Sequence, residues 1–147
     1  MEIDSTELGK VADELAIRRL VTQYADAVAQ NDGEAWIETW AEDGNWIIGG
    51  NPNQGHEKLL ATWRTLMGLF ETVIQLPQQG LLELAGDEAT GSWIVVELGR
   101  GTDGEPRLVL GSYRDGYRRV EGSWKFSQRR LEFIYSGPPD LSGQWFS

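Results

Sequence analysis

The stretch from Arg107 to Ile134 constrains the fold more than any other part of the chain. It contains two segments of strand length, from about Leu108 to Val120 and from about Trp124 to Tyr135. Glu121-Gly122 separates the two segments, and glycine accepts the positive φ that a tight hairpin turn requires. The stretch therefore predicts two long antiparallel strands that belong to a curved sheet.

Alternation along these strands assigns their residues to two faces. One face carries Val109, Gly111, Tyr113, Asp115 and Tyr117 of the first strand and Ser127, Arg129, Leu131 and Phe133 of the second, whereas Trp124, Phe126 and Ile134 lie on the other face of the second strand. Both faces mix apolar and polar groups, as expected of a sheet that packs on one side and lines a pocket on the other. A plain hairpin with charges on a solvated face fits the same pattern.

Three helices are predicted before most of the strands. From about Val11 to Gln30 the apolar residues recur at helical spacing, namely at Leu15, Ile17, Leu20, Val21, Tyr24 and Val28. Asn31-Asp32-Gly33 ends this helix and caps a short one from Glu34 to Trp40. A loop at 51–55 precedes a third helix from about His56 to Phe70.

The remaining segments predict strands: Gly44 to Gly50, Glu71 to Leu84 with an interruption near Pro77 and Gly80, and Ala89 to Gly99. Helices followed by antiparallel strands are typical of an α+β fold. A length of 147 residues suits one domain. We expect a single domain over 1–147, with flexible residues 1–10 and an irregular tail at 136–147.

Composition excludes several classes of function. The net charge of −10 repels nucleic acid and anionic membranes, so neither is an expected partner. The chain has no cysteine, which excludes disulfides and thiolate metal sites, and a single histidine makes a transition-metal site improbable. There is no apolar run of membrane-spanning length and no signal-peptide pattern, so a cytoplasmic location is expected.

Two apparent motifs carry no chemistry. His56 follows Gly55 at a predicted helix start, where it is expected to be a capping or solvated residue rather than part of a catalytic triad. The segment GRGTDG at 99–104 resembles a phosphate-binding loop, but it joins two strands, so no helix dipole stands behind it.

The candidate chemistry lies in polar residues that can share a cavity: Tyr24, Gln75, Glu97, Tyr113, Asp115 and Arg129. A glutamate among tryptophan and valine neighbours has a raised pKa and can serve as an acid or a base. Tyrosine and arginine stabilise charge that develops on an oxygen. A structural role fits equally: Asp115 and Arg129 can form a cross-strand ion pair, and Glu97 can face solvent.

Four phrases resemble the SnoaL-like branch of the NTF2-like superfamily: IRRLVTQYADAVAQNDGEAWIETWAEDGNW, the GH-x3-L helix start, LELAGDEATG and GSYRDGYRRVEGSWKFSQRRL. Together they cover about residues 13 to 135. The resemblance implies a cone-shaped α+β barrel, in which three N-terminal helices pack in a strongly bent mixed sheet around a deep apolar pocket. It also implies a homodimer or homotrimer.

Within this family the chain is similar to the scytalone dehydratase and hexachlorocyclohexane dehydrochlorinase group, which are cofactor-free lyases with a catalytic Asp–His pair. The Asp position falls at Ala29 and the His position at Gln75, so both members of the pair are missing. Arg129 matches an arginine that assists catalysis in the dehydrochlorinase. Tyr24 falls where ketosteroid isomerases, distant relatives, keep an oxyanion-stabilising tyrosine, and their basic Asp corresponds to about Ile48.

The resemblance also assigns pocket-lining positions. These positions are Trp46, Leu66, Phe70, Val95 and Tyr113. The predicted substrate-binding set adds Ile48, Gln75, Trp93 and Leu131, and the predicted catalytic set is Tyr24, Glu97, Asp115 and Arg129. No metal and no cofactor are expected.

Two functions remain open at the level of sequence. The first is a cofactor-independent lyase, dehydratase or isomerase that acts on a small hydrophobic ring compound of aromatic, terpenoid or steroid-like type. The second is a binding or accessory protein that keeps the cavity after loss of the catalytic pair. The fold itself does not decide between them, because this architecture hosts many activities.

Overall fold

The computed structural model describes residues 2–147 and contains three helices and eight strands. The helices are α1 (Ser5–Gln30), α2 (Gly33–Glu38) and α3 (His56–Met67). The strands are β1 (Trp40–Ile48), β2 (Asn51–Gln54), β3 (Phe70–Pro77), β4 (Leu81–Ala85), β5 (Glu88–Gly101), β6 (Pro106–Val120), β7 (Ser123–Gly137) and β8 (Gln144–Trp145). The predicted α+β class is confirmed.

The strands form one mixed sheet in the order β2-β1-β7-β6-β5-β3, with β4 paired to β5 and β8 paired to β7. The β1–β7 pair is parallel and the other pairs are antiparallel. The sheet does not close, so the predicted barrel is an open sheet with edges at β2 and β3. The third helix follows two strands instead of preceding the sheet, and the predicted loop at 51–55 contains the edge strand β2.

Local signals explain where the helices begin and end. Asp4 and Glu7 form a reciprocal capping box, and this starts α1 before the predicted position near Val11. Asn31 ends α1 in the left-handed conformation, and the Asp32 side chain accepts a hydrogen bond from the Ala35 N–H to cap α2. Across residues 2–147, none of the helices is both long and apolar enough to span a bilayer.

The core lies between the helices and the concave face of the sheet. Its largest members are aromatic: Tyr24 on α1, Trp36 on α2, Trp40 and Trp46 on β1, Trp63 on α3, Trp93 on β5, and Tyr113, Tyr117, Trp124 and Phe126 on the hairpin. Ile17 is fully buried, but Leu15 is 63% exposed, so the predicted apolar face of α1 does not include Leu15.

Two irregularities in the β6–β7 pairing break the predicted alternation along β7. Gly116 pairs with Gln128 while Tyr117 pairs with Phe126, which leaves Ser127 as an extra residue. Ile134 is the extra residue of the second bulge. Each bulge reverses the side to which the following residues point. Phe126 therefore lies against Arg129 on the concave face, contrary to the prediction that placed them on opposite faces.

Candidate functional site

A cavity of about 240 Å³ lies between the helices and the concave sheet. Ten of the predicted site residues line it: Tyr24, Trp46, Ile48, Leu66, Phe70, Gln75, Val95, Glu97, Tyr113 and Leu131. Three others, Trp93, Asp115 and Arg129, do not. Most of the wall is aliphatic or aromatic, so the few polar groups determine what chemistry the cavity can support.

Four polar residues of the cavity wall, Gln75, Glu97, Arg107 and Ser136, come from neighbouring strands at one level of the sheet, and we call this part of the cavity its outer end. Gln75 on β3 pairs with Glu97 on β5, Glu97 pairs with Val109 on β6, and Val109 pairs with Ser136 on β7. Arg107 lies two residues before Val109 and also lines the cavity. Strand register therefore brings one carboxyl, one amide, one hydroxyl and one guanidinium to the same end of an apolar cavity.

Glu97 is half-buried, and its Oε2 accepts a hydrogen bond of 2.8 Å from the Gln75 Nε2. Burial raises the pKa of Glu97, while the Gln75 hydrogen bond and the positive charge of Arg107 oppose that rise. A carboxylate with a raised pKa is a stronger base than an exposed one and still ionises, so Glu97 suits proton transfer.

The raised pKa of Glu97 predicts a pH-dependent effect of E97Q on stability. The folded protein holds the Glu97 proton more tightly than the unfolded chain does. Protonated Glu97 therefore stabilises the folded state fully below the ordinary pKa of glutamic acid, and this contribution is lost as pH rises through the raised pKa. We expect E97Q to unfold at higher urea concentration than wild type at neutral pH and at the same concentration in acid. A gain in unfolding free energy of equal size at every pH would contradict this prediction. The control is E132Q, because Glu132 is exposed.

Two tyrosines form the inner end of the cavity. Tyr24 on α1 and Tyr113 on β6 are almost completely buried, and their ring centroids lie 6.3 Å apart in an edge-to-face arrangement. Burial raises the pKa of both hydroxyls. The two tyrosines are therefore neutral hydrogen-bond donors next to an apolar cavity.

Asp115 and Arg129 lie behind these tyrosines. Arg129 Nε donates to Asp115 Oδ1 at 2.8 Å and Arg129 Nη2 donates to Asp115 Oδ2 at 3.1 Å. The pair is the cross-strand ion pair that the sequence left open, since the two residues are directly opposite on β6 and β7. Asp115 is not available as a base, because both of its oxygens accept hydrogen bonds outside the cavity.

Arg129 still acts on the cavity through its charge. Its guanidinium carbon lies 3.7 Å from the ring centroid of Tyr113 and 4.5 Å from that of Tyr24. A cation against the face of an aromatic ring is favourable, and it also favours negative charge on the phenol oxygen. Arg129 therefore supports the two tyrosines without lining the cavity.

Trp93, which was predicted to bind substrate, does not line this cavity. The Trp93 indole Nε1 donates to the Tyr117 hydroxyl at 2.7 Å, within the buried layer behind the cavity. Alternation alone places Trp93 beside Val95 and Glu97 on the concave face. It does not tell which part of that face the helices leave open.

Sequence reasoning missed nine lining residues: Val28, Trp63, Met67, Leu69, Val73, Arg107, Val109, Phe133 and Ser136. Arg107 could have been found, because it continues the alternation of Val109 and Tyr113. Ser136 could not, because the bulge at Ile134 turns it toward the cavity. Ala29 does not line the cavity, whereas its neighbour Val28 does, and His56 lies elsewhere with Nε2 3.0 Å from the Trp40 carbonyl oxygen.

The two polar ends suit a bound molecule that spans them. Glu97 is opposite Val109, four residues from Tyr113 along β6, so the two ends are about 13 Å apart between backbones. Both side chains line the same cavity. A single ring held between them would meet a carboxylate at one side and two hydroxyl donors at the other, which is the arrangement needed to remove a proton and stabilise the resulting charge.

Comparison with known proteins identifies relatives of this chain. Residues 9–130 match the family described as "SnoaL-like domain". The chain is 27% identical over 146 residues to the gamma-hexachlorocyclohexane dehydrochlorinase of Sphingobium indicum, covering 97% of this chain and 92% of that protein.

Solved structures with a similar fold include two hexachlorocyclohexane dehydrochlorinases. The crystal structure of LinA superposes with a TM-score of 0.85 at 28% identity, covering 96% of this chain and 97% of that one. The hexachlorocyclohexane dehydrochlorinase LinA-type3 from Novosphingobium barchaimii LL02 has a TM-score of 0.83 at 24% identity, covering 96% and 98% of the two chains. The second of these supports the fold alone.

Proposed function

Because the chain belongs to the SnoaL-like domain family, we propose that it is a cofactor-independent lyase or isomerase for a small hydrophobic ring compound. The observation that supports this most is that Glu97 and the tyrosine pair face one apolar cavity from opposite ends. The similarity to gamma-hexachlorocyclohexane dehydrochlorinase supports lyase chemistry on a ring.

Glu97 is the base in this proposal. It takes a proton from a ring carbon. In an isomerisation, the electron pair of the broken C–H bond moves onto the oxygen of an adjacent carbonyl group, and Glu97 returns the proton to another carbon of the resulting enolate. In an elimination, that pair forms a ring double bond, the leaving group departs from the neighbouring carbon with its bonding electrons, and Glu97 releases the proton to solvent. Tyr24 and Tyr113 donate hydrogen bonds to the atom that gains negative charge. Arg129 supports the tyrosines, and Gln75 orients the Glu97 carboxylate through its hydrogen bond.

The position of this base accounts for the missing Asp–His pair. Gln75 occupies the position that the resemblance assigns to the catalytic histidine, and Glu97 is its direct partner on the next strand. A proton acceptor is thus retained at the same end of the cavity, one strand away. Ala29 supplies no carboxylate at the position that the resemblance assigns to the catalytic Asp, so the chemistry differs in detail from that of the dehydrochlorinases.

Cavity size limits the substrate class. An apolar cavity of about 150 Å³ holds benzene, and pockets for drug-sized ligands start near 300 Å³. At about 240 Å³, the cavity suits a substituted single ring or two small fused rings. This favours the aromatic and terpenoid compounds over steroids among the predicted ligands.

A non-catalytic binding or accessory protein is the second candidate, and the loss of the Asp–His pair at Ala29 and Gln75 favours it. A protein that only holds apolar molecules gains nothing from a half-buried carboxylate, which costs free energy to bury. The presence of Glu97 in the wall therefore favours the enzyme.

Ligand-dependent thermal unfolding separates the two candidates. The panel contains substituted monocyclic ketones and phenols, monoterpenoids, gamma-hexachlorocyclohexane and steroids, and each mixture is examined for products by mass spectrometry. We expect a single-ring compound at about 100 times its Kd to stabilise the protein by about 2.7 kcal/mol and to be consumed. A compound that stabilises the protein and returns unchanged from every assay favours the binding protein.

We also propose that the chain forms a homo-oligomer through the convex face of the sheet. Ile74, Leu76, Ile94 and Leu98 are exposed there on β3 and β5, and Ile74 pairs directly with Leu98, so the apolar surface is continuous. We expect Leu76→Asp to reduce the molar mass in light scattering to that of one chain, because a charge cannot be buried between two apolar faces. A wild-type protein that is monomeric at tens of micromolar would contradict the proposal.

A further inference from the structure

A directed chain of hydrogen bonds lies behind the cavity tyrosines. The Trp93 indole N–H donates to the Tyr117 hydroxyl at 2.7 Å, and that hydroxyl donates to Asp115 Oδ2 at 2.6 Å. An indole N–H can only donate, so the Tyr117 oxygen must accept from it, and the single Tyr117 proton is committed to Asp115. The order of donors and acceptors along this chain is therefore unambiguous.

The chain ends on a carboxylate that has no freedom to rotate. Asp115 accepts one hydrogen bond from Tyr117 and two from Arg129, so its two oxygens receive three donors and the group is ionised. The same bidentate contact sets the plane of the Arg129 guanidinium. That plane lies against the rings of Tyr113 and Tyr24.

We propose that Trp93 and Tyr117 are positioning residues for the proposed reaction, which hold the Arg129 charge against Tyr113 and Tyr24 and thereby strengthen the two hydroxyls as donors to a developing oxyanion. The inference rests on the proposed function. It assigns a role to two residues that do not line the cavity. It also explains why a hydrogen-bonded tyrosine and tryptophan are buried beside an ion pair whose members already form two hydrogen bonds with each other.

The expected effect is moderate because the Arg129 charge remains when either residue is changed. Without the Tyr117 hydroxyl, Asp115 Oδ2 keeps only the longer Arg129 contact of 3.1 Å, and the carboxylate can turn about its Cβ–Cγ bond. The guanidinium then turns with it, away from the face of Tyr113. We expect about a tenfold loss in the stabilisation of an oxyanion at the inner end of the cavity.

The test uses 4-nitrophenol, a single-ring phenol whose ionised form absorbs visible light. Its ionisation in the cavity is measured by absorbance titration for wild type, Tyr117→Phe, Trp93→Phe and Tyr113→Phe. Tyr135→Phe is the matched control, because Tyr135 is equally buried and its hydroxyl is hydrogen-bonded to Pro138 and Gly143, away from Arg129.

We expect wild type to favour the bound phenolate, Tyr113→Phe to lose most of that preference, and Tyr117→Phe and Trp93→Phe to lose about tenfold. Tyr135→Phe is expected to match wild type. Tyr117→Phe and Trp93→Phe that match wild type while Tyr113→Phe does not would overturn the positioning role. A wild type that shows no preference for the phenolate would instead contradict the proposed role of the tyrosines in catalysis.

A second measurement needs no bound molecule. The Arg129 Nε–H, buried and bonded to Asp115, is expected to exchange slowly with solvent in nitrogen-15 NMR spectra of wild type and Tyr135→Phe. Faster exchange or a shifted resonance in both Tyr117→Phe and Trp93→Phe supports the positioning role. Unchanged Arg129 signals in both variants would overturn it, whatever the outcome with 4-nitrophenol.

Discussion

Replacing Glu97 with glutamine is expected to lower kcat by about 10²–10⁴-fold while leaving ligand affinity close to that of wild type. This is the range that a positioned general base contributes. Glutamine has the size and the hydrogen-bonding capacity to keep the contact with Gln75, but it cannot accept a proton. The change therefore removes the base and little else.

The measurement is steady-state kinetics on the compound identified by the panel, together with its Kd from thermal unfolding. Because E97Q is also expected to be more stable than wild type at neutral pH, unfolding cannot explain a loss of activity. E132Q, on the exposed face of β7, is expected to keep wild-type kinetics. Loss of binding equal to the loss of turnover would contradict the role of Glu97 as a base.

Replacing Asp115 with asparagine is expected to destabilise the protein by about 3–5 kcal/mol. The change leaves the Arg129 guanidinium buried without a countercharge, and removal of one partner from a buried ion pair typically costs this much. Burial raises the pKa of Asp115, and the adjacent Arg129 charge opposes that rise. Three donated hydrogen bonds hold Asp115 as a carboxylate.

Urea unfolding followed by tryptophan fluorescence measures this loss, with the m-value as a check on two-state behaviour. Asp43→Asn is the control, because Asp43 pairs with Arg118 at the surface, where such a pair contributes at most about 1 kcal/mol. The double variant Asp115→Leu with Arg129→Met is expected to regain much of the stability, since an apolar pair needs no countercharge. A single variant as stable as Asp43→Asn would contradict the buried-pair interpretation.

The two predictions separate the carboxylates that the sequence could not rank. Glu97 and Asp115 are both acidic residues on long strands, and alternation places both on the concave face. In the structure, Glu97 has one amide partner and faces the cavity, whereas Asp115 has three donors and is sealed behind it. The difference lies in the position of each side chain, because Glu97 lines the cavity and Asp115 does not.

The helices were the most predictable part of the fold. Their caps are local, and Asn31 and Asp32 act as the sequence indicates. The strand faces were less predictable, because each bulge depends on how β6 and β7 pair, and alternation along one strand does not show this. For this reason the prediction placed Phe126 on the wrong face and did not include Ser136 among the cavity residues.

The sequence by itself determined the order and type of most elements, the family, and about half of the residues that line the cavity, because periodicity, capping and motif resemblance are properties of short segments. Only the tertiary structure decided that the sheet stays open, that Gln75 and Glu97 meet across β3 and β5, and that Asp115 and Arg129 lie behind the tyrosines. These features depend on strand register, bulges and helix packing. Such interactions act between residues far apart in the chain, where no local pattern can report them.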